Sequence, residues 1–386
     1  MSYERLFTAA APISPEEHLP DAEIYASPLS RYVLDELPQD LSAIRANQLS
    51  YTDLAAKHAA LLAEAEPSML QNEDPHTAKI TQLDLVFMLG SYIPTGSVFE
   101  AAPADLLLKL RQQSAYFGLP PLMTYDLVVN ANSAEYLRTG QMRTFTTGET
   151  GRHERDFYLG HYQAEPFARS ATEKLKQIIE NTDNPGQYKL LQEGAQDVAT
   201  LRRYMDAYLR FNPDDFAVIR PYLAKYPNQK PNASGAFMPG PQLLELALSP
   251  PTGGHVTYLQ ESGPYFPRYD QSLVRRATQL SQKGQNIIDL LQAGRLQLDA
   301  DSTVALARLI DEFIQFRMAH LAATRRQIPK AFPPDTPRSR DAIRQFGEQD
   351  IFDEGSMPGT AGFNAEHVLI GAISRLLELK DLSKAY

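Results

Sequence analysis

Apolar residues recur at three- and four-residue intervals over most of this chain, and that spacing predicts helices over 53–66, 78–89, 104–116, 165–180, 188–209, 271–293, 302–327 and 364–379. Strict two-residue alternation is scarce, so the expected fold class is all-α. Pro and Gly cluster over 181–186, 226–235, 249–254 and 331–337, and these segments read as loops. A Thr-rich stretch over 143–151 interrupts the helical pattern. It divides the chain into a smaller N-terminal helical domain, 1–147, and a larger helical domain, 148–386. No repeat of solenoid period and no low-complexity tract is present.

The helix over 302–327 carries the most specific chemistry. Leu306, Leu309, Ile310, Phe313, Ile314, Phe316 and Leu321 fall at helical spacings, and His320 follows Phe313 and Phe316 on the same stripe. Its imidazole therefore points inward. A buried neutral imidazole can take an axial position on haem iron, and Arg317, one turn earlier, can reach a propionate at the haem rim. A packed core histidine and a surface arginine would show the same spacing. Elsewhere, Arg220 can hold a carboxylate in the two-pronged geometry that lysine cannot copy. Phe216, one turn before it, can pack on an aromatic ring or serve as plain core. Gly359-Thr360-Ala361-Gly362 suits close backbone approach, with the Thr360 hydroxyl able to bond a ligand ammonium or carboxylate. The long, charged, Pro-rich stretch over 332–358 reads as a lid or binding loop, or as disorder without function.

Composition narrows the options. With 386 residues and 43% hydrophobic content the chain can bury a large core. The absence of cysteine removes disulfides, iron–sulfur clusters, cysteine zinc sites and thiolate-ligated haem together, and fits a reducing compartment. A net charge of −10 argues against a nucleic-acid surface. No apolar run is long enough to span a membrane, and the first residues lack a signal peptide's pattern, so a cytoplasmic protein is expected. His18, His58, His76, His153, His255 and His367 show no metal-ligand spacing, and neither a GxSxG nucleophile motif nor a P-loop lysine occurs.

Phe316-Arg317-Met318-Ala319-His320 followed by Gly359-Thr360-Ala361-Gly362 resembles the haem-dependent indoleamine/tryptophan 2,3-dioxygenase superfamily. In that superfamily an arginine stands three residues before the proximal histidine, and a GTGG-type turn follows. Leu119-Pro120-Pro121-Leu122-Met123-Thr124-Tyr125, Asn212-Pro213 leading to Phe216–Leu223, and Gly253-Gly254-His255 with Tyr258-Leu259-Gln260 are similar to the indoleamine branch. The matches keep their order from about residue 83 to 379. Arg155-Asp156-Phe157-Tyr158-Leu159-Gly160-His161 resembles the distal segment. Histidine stands there as in the tryptophan branch, where the indoleamine branch usually has serine.

The resemblance implies a two-domain helical fold with haem b in the larger domain and the smaller domain contributing to the distal pocket. His320 would be the iron ligand, Arg317 a propionate partner and His161 the distal polar group. Arg220 and Thr360 would hold the substrate, with Tyr125, Val128, Val129, Phe157 and Phe216 around it. The activity implied is insertion of dioxygen across the indole C2–C3 bond of tryptophan or a related indoleamine, giving an N-formylkynurenine, with an electron donor to reduce the haem. A secondary-metabolism haem oxygenase, similar to monodechloroaminopyrrolnitrin synthase or a monooxygenase, and a non-catalytic haem or indole binder are the alternatives. Ala361 and His161 are the departures from the indoleamine pattern, and both bear on the identity of the indole.

Overall fold

The computed structural model describes residues 25–65, 75–117, 120–208, 211–223, 238–331 and 377. Thr360, the glycine turn around it, the 332–358 stretch and the helix expected over 364–379 lie outside these residues. No strand occurs among the described residues, in agreement with the all-α expectation.

The chain opens with a π-turn, Tyr32–Glu36, running into α1, Leu37–Arg45, and then α2, Tyr51–Glu64. Ser50 and Asp53 form a reciprocal cap at the start of α2, each side chain bonded to the other residue's main-chain N–H. Helix α3, Pro75–Gly90, is buried on every face from Ile80 onward, so it is the axis of the N-terminal half. Its polar side chains need partners at that depth. Asp84 receives Ser30 Oγ at 2.7 Å and the Arg143 guanidinium, while Gln82 Nε2 donates to Ser114 at 3.1 Å. Helix α4, Ala104–Phe117, packs on α3; a second π-turn, Asp126–Ala131, leads into α5, Asn132–Thr139.

The Thr-rich segment is non-helical over 141–147. Phe145 stacks between Phe87 of α3 and Tyr222, at 4.7 and 4.8 Å between centroids. Its N–H is bonded by the carboxyl of Glu154, which also accepts Thr146 Oγ1 at 2.6 Å and Tyr158 Oη at 2.7 Å. This fastens the segment to α6, Gly148–Glu180. At Gly151 a Cβ would stand 2.5 Å from the Thr146 carbonyl oxygen, so the first turn of α6 needs glycine there. The spacing predicts helix only from residue 165, but α6 runs back to Gly148 and continues through Pro166, which has no main-chain N–H to donate.

Helix α7, Gln187–Tyr208, lies between α6 and α13, Ala300–Ala331, and packs along both. The short α8, Pro213–Ile219, rests on α13 and α6 and passes into a 3-10 turn, Arg220–Leu223. Helix α9, Pro239–Leu248, covers α6; α10, Gly253–Ser262, and α11, Arg268–Gln282, follow, with α12, Ile287–Gln292, before α13. One helix was expected over 271–293. Gly284, at φ +77°, ends α11, and the Asn286 side chain accepts the Asp289 N–H at 2.9 Å to start α12.

Candidate functional site

His161 sits on α6 and His320 on α13, the two helices that flank α7. Each ring keeps some accessible surface, yet protein surrounds both. Burial pulls the His161 imidazole down to about 4, against the opposing effect of its bond to the Phe157 carbonyl. Burial first, then the charges of Arg317 and His161, pull His320 down to about 3. Two consequences follow. Both rings are neutral at physiological pH, and they stand close enough to interact electrostatically across the end of α7.

Aromatic rings surround this pair. Phe157 of α6 lies 4.6 Å from His161, 5.5 Å from Tyr208 of α7 and 5.9 Å from Phe216 of α8, centroid to centroid. Tyr125 approaches His161 at 6.4 Å, and Phe211 closes the ring at 6.3 Å from both Phe157 and Phe216. Val128 and Val129 lie buried on the π-turn just beyond Tyr125. The wider π geometry there moves these side chains off the register of an ordinary helix. Tyr125 Oη is buried with no partner among the described residues. The structure thus brings Tyr125, Phe157, His161, Phe216 and His320 into one neighbourhood.

Arg220 follows Phe216 by one turn and is buried, its Nη1 donating to the Leu223 carbonyl. Burial lowers its guanidinium to about 10, which leaves it charged at neutral pH. Arg317 is also buried. Its Nη2 pairs with Glu245 of α9 at 2.6 Å, and its guanidinium lies over the rings of Phe313 and Phe316. Glu245 in turn stands 3.8 Å from His255 Nδ1, while His255 Nε2 meets Gln242 Oε1 at 3.0 Å. The Gly253-Gly254-His255 motif therefore belongs to the packing around Arg317.

Three contributors escape the sequence reading. Glu245 sits within Leu243-Leu244-Glu245-Leu246, an apolar run whose one acid is the signal. Glu165, one turn after His161, is buried beside Arg169 at 2.7 Å and accepts the Gly240 N–H at 2.9 Å. Tyr208 ends the buried stripe Leu201, Tyr204, Met205 of α7. No group of three or more metal-ligating side chains occurs among the described residues, and no described helix is long and apolar enough to cross a membrane.

The family model for indoleamine 2,3-dioxygenase matches residues 46–323, most of the chain. No curated protein matches it. The chain belongs to the indoleamine 2,3-dioxygenase family.

Proposed function

We infer that the protein is a haem-dependent dioxygenase that inserts dioxygen across the indole C2–C3 bond of tryptophan or a related indoleamine, giving an N-formylkynurenine. The observation that carries this reading is the pair of neutral imidazoles, His161 and His320, on the two helices that flank α7 within a wall of aromatic rings.

The residues present fit a haem. With no cysteine in the chain a thiolate ligand is excluded, and a neutral imidazole is the form of histidine that binds iron. His320 Nδ1 is buried with no partner among the described residues, so the ring is not committed to a protein bond. His320 would hold the iron. Arg317 has its Nη2 on Glu245, and its buried Nε, without a partner among the described residues, is a donor available to a propionate. Haem b bound there supplies the activation of dioxygen, after reduction by an external electron donor.

The protein's part is placement. Tyr125, Phe157 and Phe216, with Val128 and Val129, exclude water and offer apolar faces to an indole plane. Arg220 supplies a charged fork for the substrate carboxylate, and Thr360 a hydroxyl for its carboxylate or ammonium. His161 supplies a neutral ring nitrogen to accept the indole N–H. Holding the reacting atoms in register is the contribution such a pocket makes to the rate. The test is turnover of tryptophan under labelled dioxygen by the haem-loaded, reduced protein. A product carrying both labelled atoms is expected. One labelled atom would instead assign a monooxygenase, and no turnover would leave a binding protein.

A further inference from the structure

Three contacts fix the hydrogens around His161. Its Nδ1 stands 2.8 Å from the Phe157 carbonyl oxygen and 2.8 Å from the Tyr208 hydroxyl, and that hydroxyl donates to the same carbonyl at 2.8 Å. A carbonyl oxygen only accepts, and Tyr208 has one hydroxyl hydrogen, which it gives to Phe157. Nδ1 therefore meets two lone pairs and must carry the proton itself. The opposite tautomer would press the Nδ1 lone pair against the carbonyl lone pair at hydrogen-bond distance. A neutral ring protonated at Nδ1 has its lone pair at Nε2, the nitrogen with no protein partner among the described residues.

Tyr208 is itself held in place from the other wall. Gln327, on α13 two turns beyond His320, donates to the Tyr208 carbonyl at 2.7 Å. The last residue of α7 is thus bonded through its side chain to the His161 helix and through its main chain to the His320 helix.

We propose that Tyr208 is a positioning residue that locks His161 as the Nδ1–H tautomer, so that Nε2 can only accept, and that this makes a ring N–H a requirement of the substrate. The selectivity rests on the reading of this pocket as an indole site. Indoles with a free N–H are preferred over analogues methylated on the ring nitrogen, because an acceptor facing a methyl group loses its hydrogen bond and stays desolvated.

The decisive experiment uses Tyr208→Phe, which removes the hydroxyl and keeps the ring, with haem loaded and checked by absorption. Isotope-edited NMR of labelled histidines in the diamagnetic ferrous carbonyl form reads the tautomer directly, His161 being assigned by its absence in His161→Asn. Wild type is expected to show the proton on Nδ1, and Tyr208→Phe a mixture of tautomers. Binding of tryptophan should weaken about threefold to tenfold in the variant, the loss of one neutral hydrogen bond. Binding of the ring-N-methylated analogue should not change. A wild-type proton on Nε2 overturns the proposal, as does a variant with unchanged tautomer and unchanged preference. If Tyr208→Phe does not fold, the wild-type tautomer still decides the lock. A haem-loaded wild type that binds no tryptophan refutes the indole reading and the selectivity with it, while the NMR arm separately decides the role of Tyr208.

Discussion

Arg220 and His161 are the side chains whose replacement should change ligand binding most specifically. A charge-assisted hydrogen bond contributes about 1.5–3 kcal/mol, so Arg220→Leu should weaken tryptophan binding roughly tenfold to a hundredfold. An indole without a carboxylate should be nearly indifferent to the change. Titrating both ligands by the shift in the haem spectrum checks this, and equal losses for the two would make Arg220 structural. His161→Ser should still turn over, with weaker binding, because a serine hydroxyl keeps an acceptor at that position; loss of all activity with normal binding would give His161 an obligatory proton-transfer role. Tyr125, Phe157, Phe216, His161 and His320 are all legible in the sequence, because each lies on a helical stripe or in a recognisable motif. Tyr208 is not, since its importance comes from two bonds that only the packing of α7 between α6 and α13 creates. The partner of Arg317 is hidden for the same reason, 72 residues away on α9.

Among the helices, α6 was legible only in its second half and α11 read as one with α12, while α2, α3, α4, α7 and α13 could be read from sequence to within a few residues. The short ones could not. Helix α9 begins with Pro239-Gly240-Pro241 and falls between the expected elements, and α10 begins with Gly253-Gly254, which reads as loop, but proline suits the first turn of a helix and Thr252 caps α10 by accepting the His255 N–H. Gly240 has a second task. Its N–H bonds Glu165 at 2.9 Å, and a Cβ there would lie 2.8 Å from Ala168 Cβ and 3.0 Å from Glu165 Oε2. Gly240→Val should therefore push α9 off α6 and cost about 1–3 kcal/mol, the usual range for overpacking. A denaturation midpoint equal to wild type would show that the contact yields freely.

Over the whole molecule, the buried titratable groups set how stability follows pH. Burial depresses His58 and His320 to about 3 and His161 to about 4, so each adds stability above its unfolded value of 6.5 and loses it as pH falls toward those values. Burial raises Glu154 and Glu165 to about 7, so each adds stability below its unfolded value of 4.5 and loses it as pH rises through 7. Between 4.5 and 6.5 the three histidines oppose the two glutamates and outweigh them by one group. The urea midpoint should climb gently with pH in that window, drop more steeply below 4.5 and fall as pH rises from 6.5 through 7. A midpoint that stays level from 6.5 to alkaline pH would show that the two glutamates are ionised in the folded protein at neutral pH.

The claim on which everything else depends is that this all-helical fold holds haem through His320. It is tested most directly by the visible absorption spectrum of the protein after haem addition, recorded for wild type and His320→Ala in the ferric and ferrous carbonyl forms. The account predicts a Soret band of histidine-ligated haem in wild type, and its loss or its replacement by a water-ligated spectrum in the variant. No Soret band in wild type, or a ferrous carbonyl spectrum and haem content unchanged by His320→Ala, would contradict it.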